Sequence, residues 1–208
     1  MSEQAMARRP WIVRSRSWMS IVIITPFAIL AALSVPMVKE ESVADFLLGA
    51  AGWSCFFIGA TFRWWATLYV GGRKDQELAV DGAYSVCRNP LYLGTFLLTL
   101  SIAFFIHSLM FAIGLLIATP LYLWVTVPWE EARLREKFGD RYDAYRQQVP
   151  KFLPNFAGFQ SPSTIPVSVS GLVGEFRIAA RWIWIPLLAE AFAHLRMETW
   201  WPDMLRLP

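Results

Sequence analysis

Long apolar runs alternate with short polar links along this chain. The first run, Trp18 to Val38, has about the ~20 residues a spanning helix needs. Pro26 and Pro36 do not exclude it, because membrane helices tolerate proline. After the polar link Lys39-Glu40-Glu41, a second run extends from about Val43 to Val70, long enough to span with tilt. Gly49, Gly52 and Gly59 within it allow close approach of a neighbouring helix. Arg63, Trp64, Trp65 and Tyr69 near its end have the character of interfacial anchors. A polar link from Gly71 to Cys87 precedes the third run, Pro90 to Ile106. His107-Ser108 is so short a connection that the third run and the fourth, Leu109 to about Val127, should form an antiparallel hairpin.

Beyond Pro128 the pattern turns polar and amphipathic, WEEARLREKFGDRYDAYRQQV. At 100° per residue with Glu130 as origin, Leu134, Phe138, Tyr145, Val149 and Tyr142 fall between about 40° and 120°, and Glu131 at about 100°. Both glutamates therefore lie along the apolar sector. Gly139 weakens this helix but need not stop it. Pro150 and Pro154 bracket an extended exit, and Ser161 to Ser170 is a Ser- and Pro-rich loop. The last helix, about Leu172 to Met197, carries Glu175, Arg177, Arg181 and Glu190, and its longest apolar run, Trp182 to Ala189, is short for a span. The pattern thus predicts an all-α, polytopic membrane bundle. It has four spans, or five if the last helix crosses, with a cytoplasmic amphipathic helix and a C-terminal interfacial helix.

Composition strengthens the membrane reading. The 208 residues are 56% hydrophobic and 17% charged, against roughly 45–50% and about 25% for soluble proteins. The net charge of +3, with no long basic block, gives no sign of nucleic acid as a partner. Cys55 and Cys87 make no disulfide or metal signature, and no Cys/His cluster suggests a zinc site. Arg8, Arg9, Arg14 and Arg16 precede an apolar run too long for the core of a cleavable signal peptide. These arginines, the 71–88 link and the region after Pro128 fall on one side of the membrane, and the Glu40 and His107 links on the other. The positive-inside rule makes the first side cytoplasmic.

Candidate chemistry gathers on that side. Asp81 to Gly94 reads DGAYSVCRNPLYLG. Asp81-Gly82 is a turn signal. Asn89 is a plausible N-cap and Pro90 suits the first helical position. A helix N-terminus with open N–H groups therefore meets the membrane edge just after Arg88, a setting for an anionic ligand group. Glu130-Glu131 is the second feature. Acids in a first turn favour the helix dipole, but acids on an apolar face beside a membrane are costly without a cationic partner.

Together, these features resemble the integral-membrane isoprenylcysteine carboxyl methyltransferases and phospholipid N-methyltransferases. GAYSVCRNPLYLG is similar to their Arg-(His/Asn)-Pro-x-Tyr-x-Gly signature, with Asn89 where His is commoner. The hairpin, Glu130-Glu131, Leu134, Phe138-Gly139, Tyr142, Tyr145 and Val149-Pro150 follow in the family's order over roughly residues 73–154. The resemblance implies a single methyltransferase domain over 1–208. Its parts would be N-terminal spans (1–70), a cofactor-binding core (71–154) and a C-terminal loop with interfacial helix (155–208). It implies S-adenosylmethionine as cofactor, with S-adenosylhomocysteine as product. The cofactor residues it carries over are Arg88, Asn89, Pro90, Tyr92, Gly94, Glu130, Glu131 and Tyr142, with Phe138 also able to frame an adenine. Glu131 and Arg133 are the catalytic candidates, with Arg63 an alternative to Arg133 for holding an acceptor carboxylate.

The resemblance implies a lipophilic acceptor, which would enter laterally from the bilayer. A carboxylate of isoprenylcysteine type needs no general base, whereas a phospholipid amine must lose a proton, which Glu131 could accept. A membrane sterol or polyprenyl reductase would use NADPH and should show a basic cluster, which the nearly charge-balanced 71–88 link lacks. A non-enzymatic scaffold or transporter subunit is the remaining class. Transport calls for ionisable groups near mid-membrane, and the first, third and fourth runs have none.

Overall fold

The computed structural model describes residues 11–34, 38, 41–70 and 77–202. The polar residues Arg8, Arg9, Lys39, Glu40, Arg73, Lys74 and Asp75, and Pro36 of the first run, lie outside the described residues. The described residues are helical, with no extended strand among them. Helix α1 is Trp11–Leu33, α2 Val43–Val70, α3 the single turn Ala83–Val86 and α4 Pro90–Ile106. Next come α5 (Leu109–Ala118), a π-turn (Leu121–Thr126), α6 (Val127–Phe138), α7 (Asp140–Gln148), α8 (Val169–Trp182) and α9 (Trp184–Leu195). Among the described residues, four runs are long and apolar enough to cross a membrane: Trp11–Leu33, Val43–Val70, Leu109–Phe138 and Val169–Leu195. Pro90–Ile106 is a shorter apolar helix, at the lower end of spanning length.

Several boundaries differ from the pattern. Helix α1 starts at Trp11, ahead of the expected Trp18, and so takes in Arg14 and Arg16. Arginine is a good helix former, and Arg16 turns back to donate to the Val13 carbonyl at 3.2 Å. The fourth run does not end near Val127: the helical path continues through a π-turn to Phe138. Pro120 and Pro128 each remove an N–H from the ladder, and wider turns absorb the mismatch. Thr126 Oγ1 bonds back to the Leu121 carbonyl at 3.0 Å. Gly139, at φ 53, does stop the amphipathic helix, so α6 and α7 are separate and one angular register does not cover both. The last helix breaks at Ile183, and as a whole it has the length and apolarity of the fifth span.

The chain divides into two compact units. The first comprises Met1–Phe56, Leu98–Thr126 and Trp182–Pro208. Its core is Ala31, Ala103 and Phe111, with Ile24, Ala28, Ile102, Ile106, Ala112 and Leu115 packed around them. The α4–α5 turn is made by His107, at φ 51, and Ser108, whose hydroxyl caps the Phe111 N–H at 3.4 Å. His107 Nδ1 lies 3.5 Å from Asp45 Oδ1, and burial pushes the imidazole below its ordinary pKa. Arg196 reaches the Ala31 carbonyl near the end of α1 and, at 2.8 Å, the Ile106 carbonyl that ends α4. Trp201 Nε1 donates to Ala32 O at 2.8 Å. Last-turn carbonyls have no partner within their own helix, and a cation there also suits the dipole.

The second unit comprises Phe57–Leu97 and Val127–Arg181. Its framework is a lacing of the loop around α3 to the exit segment after α7. Gly82 N–H donates to Gln160 O (2.8 Å), Asn155 N–H to Val86 O (2.9 Å) and Arg88 N–H to Pro150 O (2.9 Å). Gln160 N–H donates to Ser85 Oγ at 3.0 Å. Gly82 is required here: φ is 59, and a Cβ would lie 2.2 Å from the Tyr69 ring. Leu78, Tyr142 and Tyr145 are buried together, with Phe138 and Val149 against them.

Candidate functional site

The lacing in the second unit fixes a charged cluster at the start of α4. Arg88 and Asn89 leave the α3 turn, and Pro90 opens the helix fully buried. The Asn89 backbone carbonyl accepts from Leu93 N–H at 3.0 Å, as an N-cap carbonyl does. Its side-chain amide is turned to other partners. Nδ2 donates to Glu131 Oε1 at 3.1 Å and to the Lys151 carbonyl at 3.2 Å. Arg88 Nη1 lies 3.5 Å from Glu131 Oε1 and Lys151 Nζ 3.8 Å from Glu131 Oε2. Glu131 therefore has two cations and an amide around it, which is the compensation an acid on an apolar face requires.

Arg88 is only 12% exposed, and its Nε and Nη1 are buried without a hydrogen-bond partner. Buried guanidinium N–H groups are costly to leave unmade, which makes Arg88 a candidate for taking an acceptor. Tyr142, 1% exposed, closes the cluster from α7. Burial first, and then the charge of Glu131, push its hydroxyl up to about 12, while Arg88 beside it acts in the opposite direction. On the far side of the loop, Cys87 bonds to the Phe152 carbonyl at 3.2 Å, and burial pushes its thiol up to about 11. A neutral buried thiol is a structural group, not a nucleophile.

A second cluster lies in the same unit. Arg63 of α2 forms a fork on Glu175 of α8, with Nη2 to Oε1 at 2.8 Å and Nε to Oε2 at 3.2 Å. Its Nη1 donates to Thr95 Oγ1 at 2.8 Å. Gly94 explains the approach: a Cβ there would fall 2.6 Å from Gly59 O and 2.7 Å from Arg63 Cγ. Tyr84 lies within electrostatic reach of Glu130, Glu175 and Arg63, and burial with the glutamates pushes its hydroxyl well above the ordinary value.

The structure thus brings Arg88, Asn89, Glu131 and Tyr142 together, with Pro90 supplying the helix start. Gly94 faces α2, and Glu130 lies within electrostatic reach of Tyr84. Arg133 is half-buried on α6, one turn before the exposed Glu136 and Lys137, and Tyr92 is half-buried on α4. Arg63 is engaged by Glu175. Sequence reasoning passed over Lys151, Thr95 and Glu175. The signal for Lys151 was its place directly after Val149-Pro150, and for Glu175 an acid in an apolar helix, which calls for a partner. Among the described residues, no group of three or more His, Cys, Asp or Glu is arranged to hold a metal ion.

The long apolar helices are those of an integral membrane protein, and the charge cluster at the start of α4 is its candidate polar site. Residues 42–141, about half of the chain, match the phospholipid methyltransferase family. Over that stretch the chain is similar to this family, which includes the isoprenylcysteine methyltransferases, and the match supports a membrane methyltransferase. It is 35% identical over 89 residues to the protein-S-isoprenylcysteine O-methyltransferase of Schizosaccharomyces pombe, a stretch covering 39% of this chain and 34% of that enzyme. A nickel-cobalt-cadmium resistance protein of Alcaligenes xylosoxydans xylosoxydans is 29% identical over 80% of this chain and 76% of its own length. A cobalt-zinc-cadmium resistance protein of Cupriavidus metallidurans is 29% identical over 70% of this chain and 65% of its own length. No solved structure matches.

Proposed function

We propose that this chain transfers a methyl group from S-adenosylmethionine to a lipophilic carboxylate at the cytoplasmic face of the membrane. The observation that carries the reading is the pair of buried, unpartnered N–H groups on Arg88 at the start of α4. The donor is a sulfonium amino acid, and its carboxylate fits that guanidinium and the helix N-terminus behind it. Glu131, held between Arg88, Lys151 and Asn89, faces the donor's cationic part. Tyr142, Tyr92 and Phe138 supply aromatic walls. The fit is good in charge and in hydrogen-bonding capacity.

When bound, the donor supplies an electrophilic methyl group on sulfur. A carboxylate acceptor is already ionised, so this chain's residues need move no proton. They orient the two reactants and exclude water. Residues 71–154 form the donor-binding core of a single domain over 1–208, and the acceptor enters from the bilayer. A phospholipid amine as acceptor would instead require a base, and Glu131 is the carboxylate of the cluster available for it. The cytoplasmic assignment rests on the arginine-rich polar ends.

The test is a titration of the purified full chain with S-adenosylhomocysteine and NADPH side by side. Binding of the first and not of the second is expected; the reverse would replace this reading with the reductase. Single-cysteine labelling at position 140, after replacement of Cys55 and Cys87, checks the orientation. Labelling only from the outer side would overturn it.

A further inference from the structure

The fork between Arg63 and Glu175 carries an inference about the acceptor, and it rests on the methyl-transfer reading above. We propose that Arg63 and Thr95 form the anchor for the acceptor's carboxylate, and that Glu175 is a resident carboxylate occupying that anchor until the acceptor displaces it.

The anchor is complete without Glu175. Thr95 Oγ1 donates to the Leu91 carbonyl at 2.8 Å, which leaves its lone pair for Arg63 Nη1. Gly94 lets α2 and α4 meet so closely that the Arg63 stem is fixed at its Cγ. The Nε and Nη2 edge of the guanidinium is thereby presented as a rigid two-donor fork, the geometry that reads a carboxylate. Glu175 occupies it at 2.8, 3.0 and 3.2 Å, with both side chains mostly buried.

Glu175 comes from an element with little buried surface. Helix α8 contains no buried residue. Its neighbours on the chain, Leu172, Val173 and Phe176, are exposed apolar side chains. A carboxylate set among apolar groups is also the chemistry of a lipid-borne carboxylate. Exchanging one for the other leaves the charge count at Arg63 unchanged, so the Arg63 guanidinium stays paired throughout. Tyr84, four positions before Arg88 on the same turn and loop, sits in the field of this pair and ties the anchor to the donor side.

The alternative role is a strut that merely fastens α8. The two roles separate on binding of N-acetyl-S-farnesylcysteine, its carboxamide analogue and a farnesyl amine to the full chain in detergent, without donor. S-adenosylhomocysteine affinity and thermal stability are measured alongside. Removing the internal competitor by Glu175→Gln should tighten the carboxylate probe about tenfold or more, since a charge-assisted contact is at stake, and leave the carboxamide unchanged. The neutral pair Arg63→Gln/Glu175→Gln avoids an uncompensated buried charge, and should abolish the preference for carboxylate over carboxamide. If Glu175→Gln lowers stability without tightening the carboxylate probe, the fork is a strut and the anchor is overturned. Preference of the unaltered protein for the amine overturns it as well. Failure of the unaltered protein to bind S-adenosylhomocysteine would instead strike the methyl-transfer reading, and the carboxylate preference is read independently of it.

Discussion

Arg196 in the first unit and Arg88 in the second are both buried arginines, and they are employed in opposite ways. Arg196 directs its guanidinium at backbone carbonyls that end α1 and α4, and stacks over Phe192 with 5.5 Å to the ring centroid. Those acceptors are fixed by the helices, so the charge serves as a cap. Arg88 faces side chains: Glu131 at 3.5 Å, outside hydrogen-bond geometry, with Nε and Nη1 left open. Arg196 Nε is likewise buried without a hydrogen-bond partner, so an open donor alone does not separate the two; what separates them is the acidic side chain that faces Arg88, where Arg196 faces fixed carbonyls. The difference is one of what surrounds each guanidinium, backbone carbonyls and a ring at Arg196 and side-chain charges at Arg88, which is also the more exposed of the two.

The largest effect expected concerns the carboxylate at the centre of the second unit's cluster. Glu131→Gln keeps size and removes charge, so packing around Asn89 survives while the cationic part of the donor loses its partner. Turnover should fall by ~10²-fold or more. Glu136 is exposed on the same helix and projects at about 240°, away from the cluster. Glu136→Gln is therefore expected to retain full activity. Methyl transfer from labelled donor into a membrane lipid extract, at matched folding, gives both values. Equal behaviour of the two variants would make the acidic pair structural.

A crossed comparison of the arginines comes next. Arg88→Ala should weaken S-adenosylhomocysteine by about 10–150-fold, the worth of one charge-assisted hydrogen bond of about 1.5–3 kcal/mol, with little loss of thermal stability. Arg196→Ala should do the reverse. Two capped carbonyls are left unsatisfied, for a loss of about 2–4 kcal/mol in stability, while donor affinity stays the same. Calorimetry and thermal unfolding in the same detergent read both. If the patterns do not cross, Arg88 is a cap like Arg196.

What the sequence made legible follows from which interactions are local. The helix start at Pro90, its end at Ile106 and the His107-Ser108 turn are set by neighbouring residues, and the structure shows them where the pattern put them. The merging of the fourth run with α6 was hidden, because Pro128 reads as a stop and only a π-turn, which has no simple sequence period, lets the helix continue. The break at Gly139 was underestimated: a glycine tolerated within a helix and one adopting positive φ look alike in sequence. At the site, Arg88 and Glu131 could be picked out by type and setting. Lys151 and the Arg63–Glu175 fork could not, for the partners are 20 and 112 positions apart in the chain and depend on how the exit segment and α8 fold back.

The smallest effect expected is also the sharpest probe of what the cluster recognises. Lys151 contributes to the site twice, once through its ammonium and once through its backbone. The ammonium is 3.8 Å from Glu131 and its side chain is 35% exposed, so solvent screens the pair to about 0–1 kcal/mol. The backbone carbonyl accepts from Asn89 Nδ2 at 3.2 Å and lies 3.6 Å from Cys87 Sγ. A side-chain substitution leaves that carbonyl in place. Lys151→Gln should therefore weaken S-adenosylhomocysteine by no more than about fivefold, and the residual effect should fade in high salt. Arg88→Ala should retain most of its penalty in the same salt, because its open N–H groups are buried and their contact with a carboxylate is directional. If Lys151→Gln costs as much as Arg88→Ala, and both losses vanish together as salt rises, then the cluster binds through summed positive charge. The open donors of Arg88 would then hold no special place among the arginines of this protein, and the contrast with Arg196 would reduce to one of exposure.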